Sequence, residues 1–293
     1  MIPISYCPGQ RARARICLGL LALFLGACTS TAAPAAISTP PNPPASIPTA
    51  ATSPAAIAAS TVLPNVRDRS AWQLVFHDEF NSGPINLNQW RTDYWWGRTN
   101  KPELQYYAPD AFEFQNGLIR IKADKRSMGG REYTSGLIST YQHFTFTYGY
   151  AEIRAQVPAG KGLWPAFWLT GDEKDVKNAG EIDVMEILGD QPQTIYTTLH
   201  YHNGPGKSLS DQGNFKGPDF SKGFHTFAVD WSPTAVVWYV DEVEQFRVTH
   251  DVPDMPLYVI ANLAVGGEWP GYPDDTTQFP AFFDIDYIRI YKH

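Results

Sequence analysis

The sequence predicts an all-β fold in which two antiparallel sheets pack as a jelly-roll β-sandwich. Three observations carry this: from Ala71 onward short runs of alternating or continuous apolar character are broken by Gly, Pro, Asn and Asp, helical periodicity is scarce, and there are about ten such runs. That number exceeds what one open sheet comfortably holds, so two packed sheets are expected. Gln73 to Phe76 begins the series. Gly117 to Ala123 alternates Ile119, Ile121 and Ala123 with Arg120 and Lys122, as a strand with one buried face does. Ser135 to Ser139 is brief, and Tyr148 to Gln156 alternates again through Ala151, Ile153 and Ala155. Trp164 to Thr170, Thr194 to His202 and His225 to Trp231 are rich in aromatic and β-branched residues. Ala235 to Val240 and Pro256 to Ala264 are apolar almost throughout, and Phe283 to Tyr291 closes the series.

The first quarter of the 293 residues has no such pattern, so one globular domain is expected, at residues 70–293. Arg11, Arg13 and Arg15 precede an apolar run from Ile16 to Leu25 that is too short to span a membrane and reads as an export signal. Leu25, Gly26, Ala27 and Cys28 follow, resembling a bacterial lipoprotein signal. This implies removal of residues 1–27, lipid on Cys28 and a place in the cell envelope, with the outer membrane favoured, or secretion; the alternative is an ordinary signal with an incidental cysteine. Residues 28–69 are mostly Ala, Pro, Ser and Thr and read as an extended, solvated tether. The three cysteines, Cys7, Cys17 and Cys28, all precede the domain, which therefore has no internal disulfide and must hold together by burial. A net charge of -7 with no basic patch argues against a nucleic-acid partner, and the chain is expected to be a monomer.

Trp90, Trp95, Trp96, Tyr106, Tyr107, Trp164, Trp168, Tyr201, Trp231, Trp238 and Trp269 are too many aromatics for one core. Some are expected to line a groove, where flat rings stack on sugar faces; for any single one, core packing is an equal alternative. The segment Glu181, Ile182, Asp183, Val184, Met185, Glu186, Ile187, Leu188 sets three carboxylates among five apolar residues. As a helix it gathers them on no common face. As a strand it puts Glu181 and Asp183 on one face but sends Glu186 to the other, unless one extra residue at Val184 or Met185 forms a β-bulge and returns it. Three acids on one face repel, so at least one is held neutral. That is what a retaining glycosidase needs, with an ionised carboxylate attacking and a neutral one about 5 to 5.5 Å away protonating the leaving oxygen. A solvated edge strand is the alternative.

The motif Glu-Ile-Asp-Val-Met-Glu resembles the signature of glycoside hydrolase family 16 in its bulged form. Further landmarks follow in the family's order: Tyr133 to Gly136, Tyr148 to Arg154, Gly162 to Trp168, Thr198 to Tyr201, Asn262 to Gly267 with Trp269 to Gly271, and Asp286 to Tyr291. The resemblance runs from Trp72 to the C-terminus and implies a concanavalin A-like sandwich with a concave substrate cleft. It implies Glu181 as nucleophile, Glu186 as acid/base and Asp183 as their helper. Trp164 and Trp168 share a face that looks toward the acids, and the resemblance favours Trp164 for stacking on sugar. His200 is placed to bond a carboxylate or a sugar hydroxyl, or is a satisfied histidine outside the chemistry. A zinc site is not expected there, for want of a third ligand beside His200 and His202.

Asn100, Glu103 and Gln105 resemble the family's sugar-contacting loop, from which Lys101 and Pro102 depart. Glu268 and Trp269 are expected at the other end of the cleft. Glu79, Gly117 and Asp286 match the positions of a structural calcium, two of them acting through carbonyls; catalysis itself requires no cofactor. The resemblance is nearest to the laminarinase branch, which implies endo-cleavage of β-1,3 or β-1,3-1,4 glucan. Agar, carrageenan or a bacterial exopolysaccharide, transglycosylation, and a binding module without turnover are the alternatives.

Overall fold

The computed structural model describes residues 72–81, 83–172, 180–202 and 208–292. The chain separates into two compact units, Met1–Ala59 and Ser60–His293, and every described residue belongs to the second. The export signal, Cys28 and the tether read from the sequence lie outside the described residues.

Those residues contain strands and no helix. In chain order they are β1 (Gln73–Asp78), β2 (Gln105–Tyr107), β3 (Phe112–Gln115), β4 (Leu118–Ala123), β5 (Tyr133–Ser135), β6 (Leu137–Ser139), β7 (Gly149–Gln156) and β8 (Leu163–Thr170). There follow β9 (Glu181–Ile187), β10 (Thr194–His202), β11 (Ser208–Lys216), β12 (His225–Ser232), β13 (Ala235–Val240), β14 (Val243–Val248), β15 (Tyr258–Val265) and β16 (Ala281–Lys292). One sheet has the order β14-β13-β12-β7-β16-β4-β3, with β1 also paired to the long β16. The facing sheet has the order β11-β10-β9-β8-β15-β6, and β2 and β5 form a separate parallel pair. The pairings within both main sheets are antiparallel, as expected.

The alternating strands account for the sandwich. Ile119 and Ile121 on β4, Ala151 and Ile153 on β7, Phe227 and Val229 on β12, and Ile288 and Ile290 on β16 face inward from the larger sheet. Phe167, Leu169, Ile182, Met185, Val259 and Leu263 meet them from the six-stranded sheet. Burying each such Ile, Val, Leu, Phe or Met side chain contributes about 1.5–3 kcal/mol, so a disulfide-free domain has ample core. The outward face of the six-stranded sheet is left for the site.

Two details differ from the sequence reading. The run from Ser135 to Ser139 is two strands, β5 and β6, parted at Gly136, where a Cβ would lie 2.8 Å from the Phe112 ring and 2.9 Å from the Ala111 carbonyl oxygen. Only glycine lets the backbones approach so closely. Strands β2, β3, β11 and β14 were not among the expected runs.

Candidate active site

Strand β9, which carries the three acids, is bulged where the sequence requires it. Against β10, Asp183 pairs with Thr198 and Glu186 with Tyr196, so Val184 and Met185 together oppose the single residue Thr197. The same irregularity lies against β8, where Asp183 pairs with Trp168 but Met185 and Glu186 pair with Phe167 and Ala166. Val184 and Met185 are both buried in the sandwich core, and Glu186 returns to the face of Glu181 and Asp183. A bulge takes backbone groups off the ladder. Here the Asp183 carbonyl accepts a hydrogen bond of 2.8 Å from the buried Trp238 indole of β13, in the opposite sheet.

The three carboxylates open into a cavity of about 240 Å³. Its floor is made by cross-strand neighbours: Trp164, Ala166 and Trp168 on β8, and Asn262 and Ala264 on β15. Its far wall is the loop before β2, through Tyr94, Trp96, Asn100 and Glu103. Trp96 stacks on Tyr94 at 4.3 Å between centroids, and the Trp168 indole donates to Asn262 Oδ1 at 2.8 Å. Apolar ring faces beside a few fixed polar groups suit a sugar, whose faces are apolar and whose rim is hydroxylated.

Burial is the main influence on all three acids. It raises the Glu186 carboxyl well above the ordinary carboxylate range, with the Asp183 and Glu181 charges adding to it. The Trp164 indole donates to Glu186 Oε1 at 3.2 Å, which opposes the shift only partly. Burial, then the Asp183 charge, raises Glu181 to about 8, while His200 pulls it down. Glu181 keeps 35% of its side-chain surface open to the cleft, so water moderates that shift until a substrate covers it. Asp183 is raised by burial as well. His200 on β10 sits between the latter two, with Nε2 3.0 Å from Asp183 Oδ2 and 3.8 Å from Glu181 Oε1. Glu181, Asp183 and His200 are also the one set of three or more such side chains, among the described residues, whose ligand atoms are close enough for a cation.

These raised values have a consequence for stability. The unfolded carboxyls release their protons from about pH 4 and the folded ones hold theirs to higher pH, so unfolding releases protons above pH 4 and stability falls as pH rises beyond it. Asp183→Asn is expected to raise the thermal midpoint at pH 8 by a few degrees relative to the native protein, with little gain at pH 4. Thermal unfolding of both proteins at the two pH values checks this; an equal shift at both would contradict it.

The other residues singled out in the sequence fall into three groups. Trp164, Trp168, Asn100 and Glu103 line the cavity with the acids. Gln105 does not reach it: fully buried, it donates to Glu103 Oε2 at 2.5 Å and accepts from the Val265 amide at 2.8 Å. With Asn100 Nδ2 and the Tyr107 hydroxyl it holds the Glu103 carboxylate in place. Glu268 and Trp269 lie outside the cavity on the exposed turn after β15. Trp269 meets Trp164 and Tyr196 edge-on, each at 5.1 Å between centroids.

The calcium positions show no free carboxylate. Both Glu79 oxygens take hydrogen bonds from Arg289, at 2.9 and 2.7 Å, and Asp286 is paired with Arg154. The guanidinium groups neutralise these two side chains. Tyr94, Trp96, Asn262 and Ala264 line the cavity but were not singled out as site residues. Asn262 stands within a landmark run, and Trp96 among the surplus aromatics; Tyr94 gives no local signal.

Residues 101–289 match the profile of Glycosyl hydrolases family 16. A β-glucanase of Rhodothermus marinus is 34% identical over 75% of this chain and 85% of its own length. An endo-1,3-1,4-β-glycanase of Rhizobium meliloti is 36% identical over 77% of this chain and 53% of its own length, so this chain spans about half of that relative. The laminarinase catalytic domain of Thermotoga maritima, a solved structure, is 38% identical, with a TM-score of 0.67 over 76% of this chain and 98% of that one. The site described above thus stands on the scaffold of a known class of glycosidase, and the chain belongs to glycosyl hydrolases family 16.

Proposed function

We propose that this chain is a retaining endo-hydrolase of β-linked glucan, cleaving β-1,3 bonds in β-1,3 or mixed β-1,3-1,4 polymers. The observation that carries the mechanism is the unequal environment of two acids on one bulged strand. Glu186, the more strongly raised, is the neutral acid, and Glu181, open to the cleft and beside His200, is the group that ionises. Glu181 attacks the anomeric carbon as Glu186 passes its proton to the glycosidic oxygen; the carbon–oxygen bond breaks and the protonated half departs. The now ionised Glu186 takes a proton from water, whose oxygen attacks the same carbon and frees Glu181. Two inversions retain the anomeric configuration. Asp183, held by His200, limits the charge the trio carries, so its replacement by Asn lowers turnover more than binding. No cofactor enters these steps.

The names of the relatives support a β-glucan substrate, and the stacked Tyr94 and Trp96 beside Trp168 suit the faces of glucosyl rings. Incubation with laminarin, mixed-linkage glucan, agarose and succinoglycan tests the reading. Expected are short oligosaccharides of initially retained configuration from laminarin, mixed-linkage glucan or both; release from agarose alone, or initial inversion, would overturn it. The segment from Arg11 to Cys28 supports a further part of the proposal: a monomeric enzyme carried to the bacterial envelope by residues 1–27, lipidated on Cys28 and held on the tether at the outer membrane.

A further inference from the structure

We infer that the segment from Val62 to Ala71 docks on the outer face of the larger sheet and covers an apolar patch there, on the side of the sandwich opposite the cleft. Strand parity defines the patch. Phe227, Val229, Val236 and Trp238 enter the core, so the residues between them, Ala228, Val237 and Tyr239, point outward, as does Tyr150 beside Ala151. Outward side chains of a sheet face water unless something lies on them. These four and Ala235 are nonetheless between 1% and 7% exposed, and all six residues of β13 are buried. The burial is present in a single chain, so the cover belongs to the chain itself.

The route of the cover starts at Trp72. Leu74 pairs with Tyr291 on β16, and Tyr291 with Tyr150 on β7. The Trp72 ring lies 5.0 Å from Tyr150 and 6.3 Å from Tyr291, so the chain entering β1 comes across β16 from the direction of β7. Among the described residues, Trp72 and Tyr291 are the partly buried apolar side chains packed on the patch, and they cover its β7 end. Val237 lies two strands further on, roughly 10 Å away. Six extended residues span roughly 20 Å, so the chain from Val66 onward is long enough to cross it. Composition changes where the cover is needed: the Ala, Pro, Ser and Thr of the tether give way to Val62, Leu63, Pro64 and Val66, followed by Arg67 and Arg69. Asp230, which pairs with both Val237 and Tyr150, sets a negative charge beside the patch for these arginines. The compact unit that holds the catalytic strands begins at Ser60 rather than at Trp72. With the segment docked, the solvated tether ends near Ala59 and joins the domain on the face away from the acids, which keeps the cleft clear.

Two measurements on the full chain test this. In hydrogen exchange of the native protein, the amides between Val62 and Ala71 are expected to exchange at least about tenfold more slowly than those between Ala45 and Ala59. In thermal unfolding, the triple variant Val62→Asp, Leu63→Asp, Val66→Asp is expected to lower the midpoint by about 5 °C or more, because charged side chains cannot replace buried apolar ones. The pair Ile47→Asp, Ile57→Asp, placed in the tether, should leave it within about 1 °C. Exchange as fast as that of the tether, or a native midpoint with all three aspartates in place, would overturn the docking. Protection that disappears on dilution, together with a dimer in sedimentation, would also overturn it by giving the patch to a second copy of the chain. Neither measurement needs a substrate, so the outcome is separate from that of the hydrolase reading.

Discussion

Replacing Glu181 by Ala is expected to lower glucan turnover by about 10⁴-fold or more, and the same loss is expected for Glu186→Ala on substrates with a sugar leaving group. The two losses are chemically distinct, and azide separates them. Without Glu181, a small anion fills the space and attacks the anomeric carbon directly, a single displacement that inverts configuration. Without Glu186, the glycosyl ester of Glu181 still forms from a substrate whose leaving group needs no proton, and azide then attacks it, giving net retention. Glu181→Ala should thus yield the α-glycosyl azide and Glu186→Ala the β-glycosyl azide, distinguishable by proton NMR of the product. The opposite pairing would exchange the roles of the two residues; no rescue of either would remove both from the chemistry.

The bulge is a device of parity, compensating for one residue more than strict alternation allows. Deleting Val184 leaves Glu-Ile-Asp-Met-Glu, in which strict alternation already holds Glu181, Asp183 and Glu186 on the cleft face, so the bulge is no longer needed. What is lost is the buried Val184 side chain, worth about 1.5–3 kcal/mol. The expected result is a less stable protein with lowered but measurable turnover; a folded variant with no turnover would mean that the bulge itself sets the working distance between the carboxylates. Trp238→Phe is the milder counterpart. It leaves the Asp183 carbonyl buried and unbonded at a cost of about 1–3 kcal/mol, so the urea midpoint should fall and kcat should drop more than KM rises. Denaturation and steady-state kinetics on one preparation check both; a variant with native stability and native kcat would mean that the indole does not hold the bulge.

Why this much could be read beforehand, and no more, follows from the range of the interactions. The acids declared themselves because carboxylates among apolar residues conflict with every regular pattern, and the conflict has one inexpensive resolution, a bulge at Val184 or Met185. Strands with inward isoleucines, such as β4 and β16, were visible through alternation. Strand β11 was not, since Ser208–Lys216 lies at a sheet edge and most of its residues are polar. The support beneath the cleft was hidden for a different reason. Asn262 donates to the Tyr107 hydroxyl across 155 positions of sequence, and Gln105 accepts from the Val265 amide across 160. No local pattern carries such a pairing, and a glutamine beside a glutamate on a loop resembles a ligand contact until its burial is known. The side-chain partners at the calcium positions were hidden for the same reason, because the arginines paired with Glu79 and Asp286 stand elsewhere in the chain.

Glu181 and Glu186 ride on one strand of seven residues, β9, rather than on two elements brought together by docking. Their separation is therefore a local property of the backbone, set by Val184, Met185 and the indole behind them. Breathing between the two sheets, or loosening of the loop that carries Trp96, moves the walls of the cleft without moving one carboxylate relative to the other. Substrate affinity is the quantity exposed to such motions, and the chemical step is insulated from them until the sandwich itself comes apart.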